Sequence, residues 1–420
     1  MSYADLVHKI ATQAKQASYQ LRLLSSTQKN AVLSTLADLL CTHKAEIQKE
    51  NARDLEQAKK DQLSSALVDR LTLNDKAFDA MVRACHDIAA LSDPVGEVID
   101  GRTLANGIAL RRVRIPLGVV ALIFESRPNV TIDVATLCLK SGNAAILRGG
   151  REAIHSNTIL ARLFQEALQK NKIHESAVQL ITETDRAFII DLVRAKNEID
   201  LVVPRGGEAL IQFVAEHSLI PVVKHDKGVC HIYIHPSADL DKATAIVINA
   251  KAQRPGVCNA AETLLLDSRF EGSARVLKAL LDKNVILHAD ADGLIRLRKM
   301  GFDAQSLTPE GYGKEYLSLD ISVRFVDDVA DAVKHIHTFG SGHSEAIIAE
   351  NIQAVHEFER ALDSSAIFIN CSTRFNDGAE FGLGAEVGIA TGKLHVRGPM
   401  GLRDLTTYKY IAEGDGQIRS

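Results

Sequence analysis

The sequence predicts an α/β fold in which parallel sheets carry helices on both faces, with a helical layer in front and a small β element in between. Three observations carry that prediction. Apolar runs of strand length, at 118–124 and 143–147, are continuous rather than alternating, which requires a sheet covered on both sides. These runs alternate with stretches of helical period, the mark of parallel strands joined by crossover helices. An Asn106-Gly107 pair sits outside that alternation and reads as the turn of a hairpin, because this dipeptide tolerates the positive φ both turn positions need.

Residues 1–92 read as helices with no strand among them. Leu6, Ile10, Ala14 and Ala17 recur at helical spacing, as do Leu33, Leu36, Leu39 and Leu40, while Ser26 with Lys29 and the Ser64-Ser65 pair mark helix starts. This region is a packing layer in that reading. Its character changes at Ser92-Asp-Pro-Val-Gly96, and the hairpin over 98–114 follows. An exposed ribbon of that kind either pairs with another subunit or stands alone on the surface. From Ile115 the pattern becomes strand 118–124, helix 128–140, strand 143–147, helix 156–168, strand 178–181, helix 186–194, strand 199–203 and helix 208–216. A second alternation runs through helix 244–250, strand 263–266, helix 274–281, strand 284–287, helix 293–299, strand 318–325, helix 330–337 and strands 345–349 and 366–369. Phe339 to Glu345, rich in Gly and Ser, reads as a surface loop, and Gly382 to Gly388 as another loop. The organisation that follows is one unit over 1–97 and 115–225, a second over 226–365, a return of 366–395 to the first, and a tail at 396–420 that joins the 98–114 hairpin as an edge strand.

Composition excludes several classes. An apolar fraction of 46% and a charged fraction of 24% are those of a globular chain. A net charge of −4 gives no bulk attraction to nucleic acid or to acidic lipid. No apolar run approaches the roughly 20 residues that span a bilayer, and the first residues lack a secretory pattern, so the expected place is the cytoplasm. The six cysteines show no C-x-x-C spacing, and the histidines at 225, 231, 235, 335, 337 and 343 lack i, i+4 spacing beside a carboxylate. No metal site is expected; these histidines read as solvated or hydrogen-bonded.

Two patterns carry chemistry. Cys258 lies in a turn, Arg254-Pro255-Gly256-Val257-Cys258-Asn259, between a small-residue helix and a buried strand, with a guanidinium four residues away. Proline and glycine end the helix and let the chain reverse, and a thiol held there is placed to ionise and meet a substrate. The alternative at this point is a structural thiol, since free cysteines are usually buried hydrophobes. The second pattern occurs twice: Arg148-Gly149-Gly150 and Arg205-Gly206-Gly207 each follow a buried strand and precede a helix. Glycines there let a ligand approach the backbone, helix N–H groups face an anion, and arginine can fork onto phosphate. Two such turns on adjacent strands read as a dinucleotide site, although neither is a G-x-G-x-x-G.

Taken with the order of elements, four stretches make the chain resemble the aldehyde dehydrogenase superfamily. They are Ile115-Pro-Leu-Gly-Val-Val-Ala-Leu-Ile-Phe-Glu-Ser-Arg-Pro-Asn129-Val-Thr, Ser141-Gly-Asn-Ala-Ala-Ile-Leu-Arg-Gly-Gly150, Gln253-Arg-Pro-Gly-Val-Cys-Asn-Ala260 and His335-Ile-His-Thr-Phe-Gly-Ser-Gly-His-Ser-Glu345. The resemblance implies a Rossmann-type cofactor domain plus an α/β catalytic domain and a small β oligomerisation element. Within the superfamily it is closest to the branch that reduces L-glutamate 5-phosphate with NADPH, releasing phosphate and L-glutamate 5-semialdehyde for proline biosynthesis. It implies Cys258 as the nucleophile that forms a thioester, Arg148 at the place that meets the adenosine ribose, and Glu315 as the carboxylate for the nicotinamide ribose.

Departures matter as much. His225-Asp226-Lys227-Gly228 stands where the superfamily keeps the glutamate that hydrolyses the thioester, which suits an enzyme that exchanges acyl with phosphate instead of water. Ser126 occupies the place of the usual oxyanion asparagine, with Asn129 just beyond, so both are candidate donors beside the backbone N–H of Cys258. Phe339 stands where His or Tyr is expected. A substrate with a phosphate and a carboxylate needs cations, for which Arg127, Lys227, Arg254 and Arg374 are candidates. The resemblance further implies a homo-oligomer, and the lability of an acyl phosphate suggests hand-over from glutamate 5-kinase.

Overall fold

A computed structural model describes residues 2–223 and 227–419. The predicted boundary at 225/226, and with it the His225-Asp226 departure, lies outside the described residues.

Helices Tyr3–Leu21, Ser26–Thr42, Lys44–Lys60, Ser65–Leu71 and Asp75–Ala90 form the N-terminal layer. The second starts one residue ahead of the predicted pair. Ser25 accepts from the Gln28 N–H while the Gln28 side chain accepts from the Ser25 N–H, a reciprocal cap that satisfies two donors the helix leaves open. Val32, Leu33, Leu36, Leu40, Phe78 and Met81 merge with the strands behind them into one core. Each such side chain contributes roughly 1.5–3 kcal/mol on burial, so the layer is part of the unit's foundation.

Behind it lies a four-stranded parallel sheet in the order Val178–Leu180, Ala144–Arg148, Val119–Phe124, Leu201–Arg205. All residues of the two central strands are buried, as their continuous apolar sequence requires. The second unit is a seven-stranded parallel sheet, ordered Gln305–Ser306, Ile286–Ala289, Asp320–Val326, Ala261–Asp267, Cys230–Ile234, Ser344–Ile348, Ala366–Ile369. The Cys230–Ile234 strand, absent from the sequence reading, is fully buried beside the Ala261–Asp267 strand. Its polar residues hide it from an apolar-run search, yet both find partners inside: His231 Nδ1 with Glu345 and the Tyr233 hydroxyl with Asp267. The helix Ile352–Ala361 was likewise not anticipated.

Three expectations are corrected. The return to the first unit does not begin at 366, because Ala366–Ile369 pairs with Ser344–Ile348 and forms the outer strand of the second sheet. The residues that rejoin the first core are Val387, Ala390, Met400, Leu402 and Leu405, so the tail leaves that core only after Leu405 and not at 396. Thr406–Glu413 then pairs antiparallel with Ala109–Pro116, whose other edge carries Val98–Thr103. The hairpin turn is also longer than an Asn-Gly pair: only Gly107 has positive φ, Leu104 accepts from the Gly107 N–H at 2.9 Å, and Leu104 donates to Ile108 at 2.8 Å. That is a three-residue loop closed by a left-handed glycine.

Candidate active site

Cys258 sits between the end of helix Leu240–Ala252 and the start of strand Ala261–Asp267, and is partly exposed. Its surroundings are built from distant pieces of chain. Gly228 lies directly on its backbone: a Cβ there would stand 1.9 Å from the Cys258 carbonyl oxygen and 2.8 Å from its Cα, so only glycine permits the approach. The Cys258 carbonyl accepts from the Cys230 thiol at 3.1 Å. The 228–231 segment is racked in turn, Gly228 N–H donating to Glu315 Oε1 at 2.9 Å, Val229 N–H to Ser341 Oγ at 3.0 Å and His231 N–H to Glu345 Oε2 at 3.1 Å.

The Phe339 to Glu345 stretch is therefore no ordinary surface loop. His343, Ser344 and Glu345 are fully buried, because their neighbours on the Cys258 side need partners there. Ser344 Oγ accepts from Asn376 Nδ2 at 2.8 Å, and Asn376 in turn holds Asn259 through its backbone carbonyl at 3.0 Å. Arg374 donates to Gln253 Oε1 at 2.9 Å and to Asn259 Oδ1, so this predicted substrate cation braces both flanks of the cysteine turn.

Burial pushes the Cys258 thiol up to about 12; Arg205 pulls it down, Glu386 and Glu315 push it further up, and Arg127 pulls it down. Desolvation thus acts against ionisation of the thiol, with the two guanidiniums as the opposing force. Burial also holds Arg127 down to about 10, helped by Arg205, Arg70 and Arg254, while Cys258 acts the other way. Arg70 comes from the helical layer read as packing alone, and only the fold could have brought it here. Arg254 and Lys227 are exposed at the rim, and Lys227 favours ionisation of Glu315, whose carboxyl burial raises.

Arg205 was expected in the cofactor turn. Instead its guanidinium lies against Gly388, where a Cβ would meet its Nη1 at 2.8 Å, and it acts on Cys258, Asp133 and Glu386. The 382–388 run is a loop, as read, but it delivers Gly388 and Glu386 to the site. Glu386 accepts from the Gly378 N–H at 2.8 Å; burial raises its carboxyl and Arg205 lowers it.

The glycines of both Arg-Gly-Gly turns make room for the protein's own side chains. A Cβ on Gly149 would lie 2.0 Å from Asn157 Nδ2, one on Gly150 2.1 Å from Glu152, and one on Gly206 2.6 Å from Glu125. Glu125 accepts from the Gly207 N–H at 2.9 Å, so a carboxylate already caps the helix Glu208–His217. Arg148 is nearly buried; its Nη2 donates to the Thr184 carbonyl at 2.7 Å, and its Nε has no partner among the described residues. Ser126 has a left-handed backbone, φ 41°, held by two bonds to Glu152 Oε1, from its N–H and its hydroxyl, each 2.7 Å. Asn129 donates to Asp133 Oδ2 at 2.7 Å. The Ser126 hydroxyl proton is thus engaged elsewhere, and Asn129 has one of its two amide N–H groups engaged. Among the described residues, no group of three or more His, Cys, Asp or Glu is placed to hold a metal ion.

Comparison with known proteins is consistent along the chain. The aldehyde dehydrogenase family model matches residues 2–285. The gamma-glutamyl phosphate reductase of Leptospira interrogans is 51% identical over 419 residues, covering 100% of both chains. That of Nautilia profundicola is 46% identical over 98% of this chain and 99% of the relative. The crystal structure of the gamma-glutamyl phosphate reductase from Thermotoga maritima superposes with a TM-score of 0.95 at 40% identity, covering 99% of this chain and 100% of that one. An acetylating aldehyde dehydrogenase from Geobacillus thermoglucosidasius, 17% identical with a TM-score of 0.72, shares the fold.

Proposed function

The chain belongs to the aldehyde dehydrogenase family, and from that premise we propose that it is a reductase of gamma-glutamyl phosphate. On this reading it uses NADPH, releases phosphate and yields L-glutamate 5-semialdehyde for proline biosynthesis in the cytoplasm. One observation supports it above the others: Arg205 and Arg127 act on the Cys258 thiol and Arg254 acts on Arg127, and none of the three is in an ion pair among the described residues. A substrate that carries both a phosphate and a carboxylate supplies the missing anions.

Arg205 and Arg127 stabilise the Cys258 thiolate. Its sulfur attacks the acyl carbon, the C–O bond to phosphate breaks with the electron pair leaving on phosphate, and a thioester forms. The Cys258 N–H is the backbone donor for the oxyanion; the Ser126 hydroxyl proton is spent on Glu152, while Asn129 spends one of its two amide N–H groups on Asp133 and keeps the other. Arg148, with its open buried Nε, Gly149, Gly150 and Glu315 would hold NADPH, which when bound supplies the hydride for the thioester carbon. Cys258 then leaves as thiolate, again held by Arg205 and Arg127. Arg374 serves this scheme by fixing the turn, and Lys227 and Arg254 at the rim receive the charged ends of the substrate.

The reading extends to assembly. The ribbon of 98–103, 109–116 and 406–413 has outer edges that no other strand covers among the described residues, and exposed Tyr408 and Tyr410, which suits pairing with a second copy. Direct hand-over from glutamate 5-kinase is tested by co-sedimentation, and separate migration at cellular concentrations overturns it.

The deciding experiment runs the reaction in reverse, because the acyl phosphate is labile. Purified protein with NADP, phosphate and pyrroline-5-carboxylate, the cyclised semialdehyde, should form reduced nicotinamide only when phosphate is present, and Cys258→Ala should abolish it. Turnover independent of phosphate would point to a hydrolytic dehydrogenase and overturn the reading.

A further inference from the structure

A buried ion pair brackets the cysteine turn and takes no part in the chemistry above. Lys251, seven residues before Cys258, and Glu262, four after it, are both fully buried, and Lys251 Nζ lies 2.9 Å from Glu262 Oε2. The pair closes the base of the turn, joining the last turn of the helix that enters it to the first residues of the strand that leaves it.

The other carboxylate oxygen reaches further. Glu262 Oε1 accepts from the Leu317 N–H at 3.3 Å. Leu317 has a left-handed backbone, φ 55°, which a leucine adopts only where its surroundings hold it. The residue before it is fastened as well: the Tyr316 ring stacks on His288 with centroids 4.9 Å apart, and its hydroxyl meets Ser322 Oγ at 3.1 Å. The residue before that is Glu315, which accepts from the Gly228 N–H, and Gly228 lies on the Cys258 backbone. One buried carboxylate therefore touches both the turn that carries the thiol and the loop that carries Glu315.

We propose that Glu262, held in place by Lys251, is a positioning residue that fixes the Glu315 loop against the Cys258 turn by accepting the Leu317 N–H. The inference rests on the reading of Cys258 as nucleophile and of Glu315 as a cofactor ligand. Its specific claim is that the acceptor at 262 matters to cofactor binding, while the charge of the pair matters to stability.

Two double variants separate the acceptor from the charge. Lys251→Met with Glu262→Gln removes both charges and keeps a carbonyl for Leu317, whereas Lys251→Met with Glu262→Leu removes the acceptor as well. A buried ion pair replaced as a unit by groups of similar volume usually leaves a folded protein. In the reverse assay the leucine double should raise the KM for NADP by about tenfold or more, with the KM for phosphate changed by less than about threefold. The glutamine double should keep both within about threefold. Equal NADP KM values in the two doubles would overturn the proposal.

Hydrogen exchange on the unmodified protein keeps the test open if the leucine double does not fold. The Leu317 amide should exchange as slowly as its neighbours in strand Asp320–Val326, and exchange at the rate of an open loop would overturn the tether. Glu315→Ala distinguishes the two levels of failure. If that variant leaves the NADP KM unchanged, the cofactor reading of Glu315 fails, while the exchange rate still judges the tether.

Discussion

At the scale of single residues, the site is a contest between desolvation and charge. Cys258 was readable as a candidate because proline, glycine and arginine surround it in sequence, and its neighbours in space were not. Arg205 is the foremost cation acting on the thiol, although its place in an Arg-Gly-Gly turn pointed to phosphate; its direction is set by Gly388, 183 positions away in a stretch that carries no signal of its own. Arg205→Met should therefore slow alkylation of Cys258 by iodoacetamide about tenfold at pH 8 and shift its pH profile upward, since each unit of thiol pKa removes tenfold of thiolate; an unchanged profile would show that Arg205 does not act on the sulfur. Asp133 gives a second prediction. Burial raises its carboxyl from 3.8 to about 6, with Asn129 and Arg205 pulling the other way. The folded state thus holds the proton more tightly than the unfolded chain. Stability from this group is full below pH 3.8, falls as pH rises to about 6, and stays low above it. Asp133→Asn should stabilise the protein by up to about 3 kcal/mol at pH 8 and by little at pH 4, read from urea unfolding at the two values.

Elements were legible wherever burial wrote a continuous signal. The strands at 119–124 and 144–148 are apolar throughout and were found within a residue of their ends, because a sheet covered on both faces admits little else. The Cys230–Ile234 strand was missed for the complementary reason. Its histidine Nδ1 and tyrosine hydroxyl bond to carboxylates from strands 114 and 34 positions further on, and a sequence shows the polar residue without the partner that makes it tolerable. The same strand is led in by Gly228, where the demands of packing are most severe. Gly228→Ala would drive its Cβ into the Cys258 carbonyl, and the two segments must separate to relieve it. We expect kcat to fall at least about 100-fold, since a misplacement near one ångström at the reacting atom costs that much, with a lower thermal midpoint beside it. Full activity with an unchanged midpoint would mean that the approach of Gly228 is not required.

On the scale of the whole molecule, the chain order of the units was readable and their seams were not. The boundary at 366 failed because a short outer strand looks the same in sequence whichever sheet it joins, and the start of the tail failed because Met400, Leu402 and Leu405 are core residues of a unit whose strands lie far earlier, between 119 and 205. What did carry over is the association of the tail with the hairpin: eight residue pairs join 406–413 to 109–116, so the ribbon is a structure that neither segment forms alone. This makes the ribbon separable from the chemistry. Among the described residues, no further strand pairs with either outer edge, and a chain with such edges at working concentration pairs them with another copy or protects them. Truncation after Leu405 removes the 406–413 strand while leaving both α/β cores intact. Sedimentation should then show a defined oligomer of the full chain and a single copy of the truncated one, with Cys258 still alkylated at a comparable rate. If the full chain sediments as a single copy, or the truncated chain keeps the same assembly, the ribbon is not the surface through which copies associate.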